Sequence, residues 1–285
     1  MGKVYDALQR AEEQRARRRD DGGVSAPAAP GGAPAPRADA DARPARRSRR
    51  PLWKRFLRSG PVGEPAGALN KRRIAMLHPD SFVAEQFRTL RARIDALASG
   101  KPIRSIAVTS ALPGEGKTLC SINLALVTSM SVDRRVLLVD CDLRAPRVHQ
   151  VLGLHVDAGL AEVLSGTAQP EDAILRVEGT VLDVLPVRSL PANPSELLAS
   201  QQMSELIQTL AARYDRVVFD VPPVIGLPEA RTMCDLCDGI VFVVRADSTA
   251  RGDVETALDV LDRSRVLGLV LNDVDETPTR YGYNY

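Results

Sequence analysis

From about residue 74 onward the chain alternates short, nearly unbroken apolar runs with longer stretches of helical period. The runs Ile103 to Ala111 (IRSIAVTSA), Arg135 to Asp140 (RVLLVD), Leu182 to Val187, Arg216 to Val221, Gly239 to Ala246 and Val266 to Asn272 are rich in Val, Leu and Ile. Strands that are apolar on both faces belong to a sheet covered on both sides. Between them the pattern predicts helices at about Lys117 to Met130, Pro194 to Arg213, Leu227 to Cys237 and Ala250 to Arg265, with short helices up to about Ser165. Ahead of the first strand, SFVAEQFRTLRARIDAL sets Phe82, Phe87, Leu90, Ile94 and Leu97 at helical spacing, with Ser81 as N-cap. Strands separated by helices define an α/β domain with a doubly wound parallel sheet.

Upstream the pattern breaks down. Residues 1 to about 20 form a highly charged helix with Val4, Leu8 and Ala11 on one side, serving either to dock or merely to be solvated. GGVSAPAAPGGAPAPRADADARP cannot bury enough apolar surface to fold and reads as a linker. RRSRRPLWKRFLRSG, Arg46 to Gly60, carries Trp53, Phe56 and Leu57 among its cations, which suits either an anionic membrane surface or a solvated linker. Residues 1–62 hold 15 Lys and Arg against 7 Asp and Glu, so the formal net charge of +2 conceals a basic extension and an acidic folded part. The expected organisation is a largely disordered segment over 1–73, a folded domain over 74–276 and a flexible tail over 277–285.

Composition excludes several classes. No apolar run approaches the ~20 residues of a membrane span, and acidic residues stand where a secretory signal needs its apolar core, so a cytoplasmic chain is expected. Cys120, Cys141, Cys234 and Cys237 are too scattered for a disulfide framework, and CDLC reads as two small buried residues. His78, His149 and His155 form no cluster. The tail TRYGYNY holds three of the five tyrosines, Tyr281, Tyr283 and Tyr285, without an aliphatic neighbour, so burial does not explain them. They belong either to a disordered end or to whatever the domain does with phosphate.

Between the first strand and its helix lies SALPGEGKT, a P-loop pattern with Ala111 in place of the first glycine. Gly114 and Gly116 let backbone N–H groups turn onto phosphates, and the helix start adds its positive dipole end. Lys117 neutralises phosphate charge, and the Thr118 hydroxyl ligates Mg²⁺. The binding strip is Gly114, Glu115, Gly116, Lys117, Thr118 and Leu119. Asp140 and Asp142 of LLVDCDLR and Asp220 of VVFDVPP end two further strands, at the sheet edge where such folds bind ligands. The expected cofactors are ATP and Mg²⁺.

SALPGEGKT, LLVDCDLR and YDRVVFDVPP in this order resemble the bacterial tyrosine kinases, the autokinases associated with capsular and exopolysaccharide export. The resemblance runs from about Ala75 to Tyr285. It includes EQFRTLR, which matches the family's assembly motif at Glu85, Arg88 and Arg91, and the tyrosine-rich tail. It implies Lys117 and Thr118 as the first Walker motif and Asp220 as Walker B. In the second motif, Asp140 is the base for the tyrosine hydroxyl and Asp142 a Mg²⁺ ligand alongside Thr118 and Asp220. It also implies Asn272 at the adenine edge and phosphorylation of Tyr281, Tyr283 and Tyr285 in trans within a ring of copies. A membrane-embedded polysaccharide co-polymerase chain is the implied activator, holding this separate chain at the inner face of the membrane. No nucleic-acid partner is expected. The rival is a P-loop ATPase of the positioning or partition type, acting at membrane or DNA, whose second lysine would fall at Leu112.

Overall fold

The computed structural model describes residues 79–98, 100 and 102–274. The basic N-terminal segments and the three tail tyrosines lie outside the described residues. Ser81 caps α1 (Phe82–Leu97), its hydroxyl accepting from the Ala84 N–H at 3.2 Å. Then follow β1 (Ser105–Ser110), α2 (Lys117–Ser129), β2 (Val136–Asp140) and three short helices, α3 (Val148–Leu152), α4 (Leu160–Leu164) and α5 (Pro170–Ala173). The hairpin β3 (Leu175–Arg176) and β4 (Leu182–Leu185) leads to α6 (Pro194–Leu198), α7 (Gln201–Arg213) and β5 (Arg216–Asp220). The chain continues through α8 (Pro228–Leu236), β6 (Gly239–Arg245), α9 (Arg251–Asp259), a 3-10 turn (Arg263–Arg265) and β7 (Val266–Asn272).

Among the described residues the strands make a seven-stranded sheet in the order β3-β4-β2-β5-β1-β6-β7. Every pairing is parallel except β3 with β4. Successive residues of each central strand feed opposite cores, as a period of two requires. Ala107, Leu137, Val139, Phe219 and Phe242 pack under α6 to α9, while Ile106, Val108, Leu138, Val218 and Val241 pack under α1 to α3. The doubly wound architecture is as expected; the antiparallel strand β3 was not foreseen, because two residues carry no periodicity. The single helix expected from Pro194 breaks at Ser200, whose hydroxyl accepts from the Met203 N–H at 3.2 Å and restarts it. The helix expected to reach Arg265 stops at Asp259, and Asp262 caps the turn after it by accepting from the Ser264 N–H at 3.0 Å.

Parallel pairing aligns the functional strand ends. Asp140 stands opposite Asp220 across β2 and β5, and Asp220 opposite Val108 across β5 and β1. Beyond β5 the backbone stays attached to the start of the P-loop, with Val224 N–H donating to Ser110 O at 2.8 Å and Ile225 N–H to Ala111 O at 3.2 Å.

Candidate active site

The P-loop is held by its own side chains and by two distant elements. Glu115 is buried and accepts from the Leu112 N–H at 2.7 Å and from the Thr249 hydroxyl. Its carboxylate therefore staples the loop, leaving backbone N–H groups for an anion. Gly114 and Gly116 adopt φ of 88° and 92°, a region open to glycine. At Gly116 a Cβ would stand 2.0 Å from Asn272 Nδ2, which donates to Glu115 O at 2.9 Å. Asn272, expected at the adenine edge, thus fixes the loop through one N–H of its amide nitrogen, which leaves its second N–H and its carbonyl oxygen for a base. Leu112 packs against the core, at the place where the positioning ATPases would carry a lysine.

Lys117 opens α2 with its ammonium inside a cluster of carboxylates. Its Nζ lies 2.8 Å from Asp142 Oδ2 and 3.9 Å from Asp220 Oδ1. Burial opposes its charge, yet Asp220, Asp142 and Asp140 together hold its pKa above the ordinary lysine value. Burial, then the charge of Asp220, pushes the Asp140 carboxyl up to about 8. Burial likewise raises Asp220, against the pull of Lys117 and of the neighbouring Thr118 and Ser121 hydroxyls. Ser121 Oγ donates to Asp220 Oδ1 at 3.1 Å and to Lys117 O at 2.8 Å. Asp220 Oδ2 is buried and has no hydrogen-bond partner. A buried carboxylate oxygen left bare is costly in a folded protein and fits a site made for a cation.

Asp140 faces its own loop. Its Oδ1 accepts from Asp142 N–H at 3.1 Å, and its Oδ2 accepts from Arg147 N–H at 3.2 Å and Val148 N–H at 3.1 Å, capping α3. Three of the roughly four acceptor positions of a carboxylate are filled, and the one left is on Oδ1. Asp142 Oδ1 accepts from Ala145 N–H at 3.0 Å. Leu119 is partly buried and packs on the apolar core beneath α2. The α1 residues lie apart from this cluster: Glu85 and Arg88 pair with each other, whereas Arg91 Nη1 donates to Val127 O at 2.6 Å and Ser131 Oγ at 2.8 Å.

Sequence reading missed Ser121, Thr249 and the group Arg144, Ser195 and Glu229. Ser121 carried a signal, since it follows Lys117 by one helical turn and so shares its face. The others reach the site only through the fold.

A P-loop on a parallel sheet, with a lysine among strand-end carboxylates, defines a nucleotide-binding P-loop protein. A family model described as an AAA domain matches residues 103–264. The tyrosine-protein kinase YwqD of Bacillus subtilis is 37% identical over 213 residues, 74% of this chain and 90% of that protein. The tyrosine-protein kinase wzc of Salmonella typhimurium is 31% identical over 215 residues, which make 74% of this chain and 30% of that longer protein. The crystal structure of the chimerical protein CapA2B2 superposes with a TM-score of 0.68 at 31% identity, covering 72% of this chain and 91% of that one. The chain belongs to the bacterial tyrosine-protein kinase family.

Proposed function

We propose that the protein is an ATP-dependent tyrosine autokinase that phosphorylates Tyr281, Tyr283 and Tyr285 of a neighbouring copy. In this reading it works with a membrane-embedded polysaccharide co-polymerase chain in capsule or exopolysaccharide production, and the Arg46 to Gly60 segment adds a peripheral membrane contact. The observation that carries the reading is the bare, buried Asp220 Oδ2, on the carboxylate whose other oxygen lies 3.9 Å from Lys117 Nζ. Asp220, Thr118 and Asp142 would hold Mg²⁺, which would supply neutralisation of the phosphate charge. Lys117 exchanges Asp142 for the phosphates. The open lone pair of Asp140 Oδ1 receives the phenolic proton as the tyrosine oxygen bonds to the γ-phosphorus and the bond to ADP breaks.

The folded unit spans 74–276 and the substrate tail 277–285, and of the three motif residues Glu85, Arg88 and Arg91 the copies meet through Glu85 and Arg88, Arg91 being engaged by α2 of its own copy. Each phosphate adds about −1.5 to −2 charge near carboxylates that repel it, so a fully phosphorylated tail leaves the site and loosens the ring. The test is labelled ATP with and without the cytoplasmic part of a co-polymerase chain, the phosphate being mapped by mass spectrometry. Label on the three tail tyrosines, lost in Lys117→Met with the fold retained, is the expected result. Label absent from all three under both conditions would refute the kinase reading.

A further inference from the structure

Glu229 stands at the second position of α8, yet its side chain is only 1% exposed. A buried carboxylate requires partners, and it has two. Arg144 Nε donates to Glu229 Oε1, and Ser195 Oγ donates to Glu229 Oε2 at 2.9 Å. The ring closes because Arg144 Nη2 donates to Ser195 Oγ at 3.1 Å. Burial pushes the Glu229 carboxyl up, but the hydrogen bonds from Arg144 and Ser195 more than offset this and hold its pKa below the ordinary value.

The three residues come from three segments at the same sheet edge. Arg144 is two residues past Asp142, in the turn between β2 and α3; Ser195 lies on α6; Glu229 begins the helix after the Asp220 loop. Within the Arg144 turn the two aspartates accept from the N–H groups of Asp142, Ala145, Arg147 and Val148, and Asp142 also holds the Lys117 ammonium of α2 at 2.8 Å. Arg144 is the side chain of that turn that ties it to α6 and α8. We propose that Glu229 is a positioning residue, acting through Arg144 to hold the 141–147 turn so that Asp140 and Asp142 meet the phosphate site. The inference rests on the P-loop reading of that site and does not require that tyrosine be the acceptor. Partners behind a metal-binding carboxylate fix its orientation, and losing one typically costs about 10- to 100-fold in metal affinity or activity.

Removing Arg144 would strand a buried anion and destabilise the whole fold, whereas removing Glu229 frees a half-exposed cation into water, so Glu229 is the residue to change. Backbone hydrogen exchange is measured on the full chain without nucleotide or Mg²⁺, for the wild type, Glu229→Gln and the more severe Glu229→Ala. Exchange is expected to quicken at Asp142, Ala145, Arg147 and Val148, more in the alanine variant, while β1 and β6 keep their protection. On the same variants, the Mg²⁺ concentration for half-maximal binding of a fluorescent ADP analogue is expected to rise about tenfold. Unchanged exchange at the four amides in both variants would overturn the proposal. So would a loss of protection spread evenly over β1 and β6, which marks a general packing role. Neither readout uses phosphoryl transfer, so a failure of the kinase reading alone leaves these outcomes untouched.

Discussion

Gly116 shows how narrow the phosphate loop is at the scale of one residue. A side chain there meets two separate obstacles, a φ of 92° and an Asn272 nitrogen 2.0 Å from where Cβ would lie. The left-handed backbone alone costs an L-residue about 1–2 kcal/mol. Gly116→Ala is therefore expected to lower the thermal midpoint and weaken nucleotide binding. Adding Asn272→Ala should relieve the clash and recover only part of the loss, since the backbone cost remains. Titration of an ADP analogue against the single and double variants checks this; full affinity in Gly116→Ala would mean that the loop does not cradle phosphate. The glycines were legible from their spacing. The Asn272 contact was not, because it joins residues 157 positions apart whose adjacency depends on β7 being at its place in the sheet.

At the scale of elements, α1 separates two arginines that the sequence presents as equivalent. Arg91 reaches across to the C-terminal end of α2, where it satisfies a backbone carbonyl, while Arg88 stays on its own helix with Glu85. Hydrogen bonds from a charged group contribute about 1.5–3 kcal/mol, and an exposed pair one turn apart only a few tenths. Arg91→Ala should thus lower the thermal midpoint of the isolated chain. Arg88→Ala should leave the midpoint in place and reduce oligomer mass in light scattering. Unchanged mass in Arg88→Ala would remove α1 from the assembly proposed above. The same scale explains the two helix boundaries that periodicity misplaced: Ser200 and Asp262 satisfy backbone N–H groups locally, and a local cap outcompetes an apolar pattern that runs on past it.

For the whole molecule, the carboxylate cluster makes stability depend on pH. Asp140 titrates near 8 in the fold against about 4 unfolded, so its contribution is complete below the unfolded value and is lost as pH rises toward 8. Asp220 is raised and acts in the same direction. Glu229 is lowered and acts oppositely, its contribution fading only as pH falls through its depressed pKa. Lys117 is raised and stays charged throughout this window. The nucleotide-free protein is expected to melt at a lower temperature at about pH 8 than at about pH 5.5, and Mg²⁺ with ADP should stabilise it more at the higher pH. Differential scanning fluorimetry at constant ionic strength reads both trends. A midpoint that rises steadily with pH would contradict the burial assigned to these groups.

The sequence by itself determined the class of fold and the location of the chemistry. Unbroken apolar runs between helical stretches permit little except a covered parallel sheet, and glycines, a lysine and strand-end aspartates are local enough to be read in a line. Only the tertiary structure decided what each charge faces. It gave Arg91 to α2, Asn272 to the P-loop and Glu229 to Arg144, and it left one oxygen of Asp220 bare. Those outcomes depend on strand order and on desolvation, both of which arise when distant segments exclude water together.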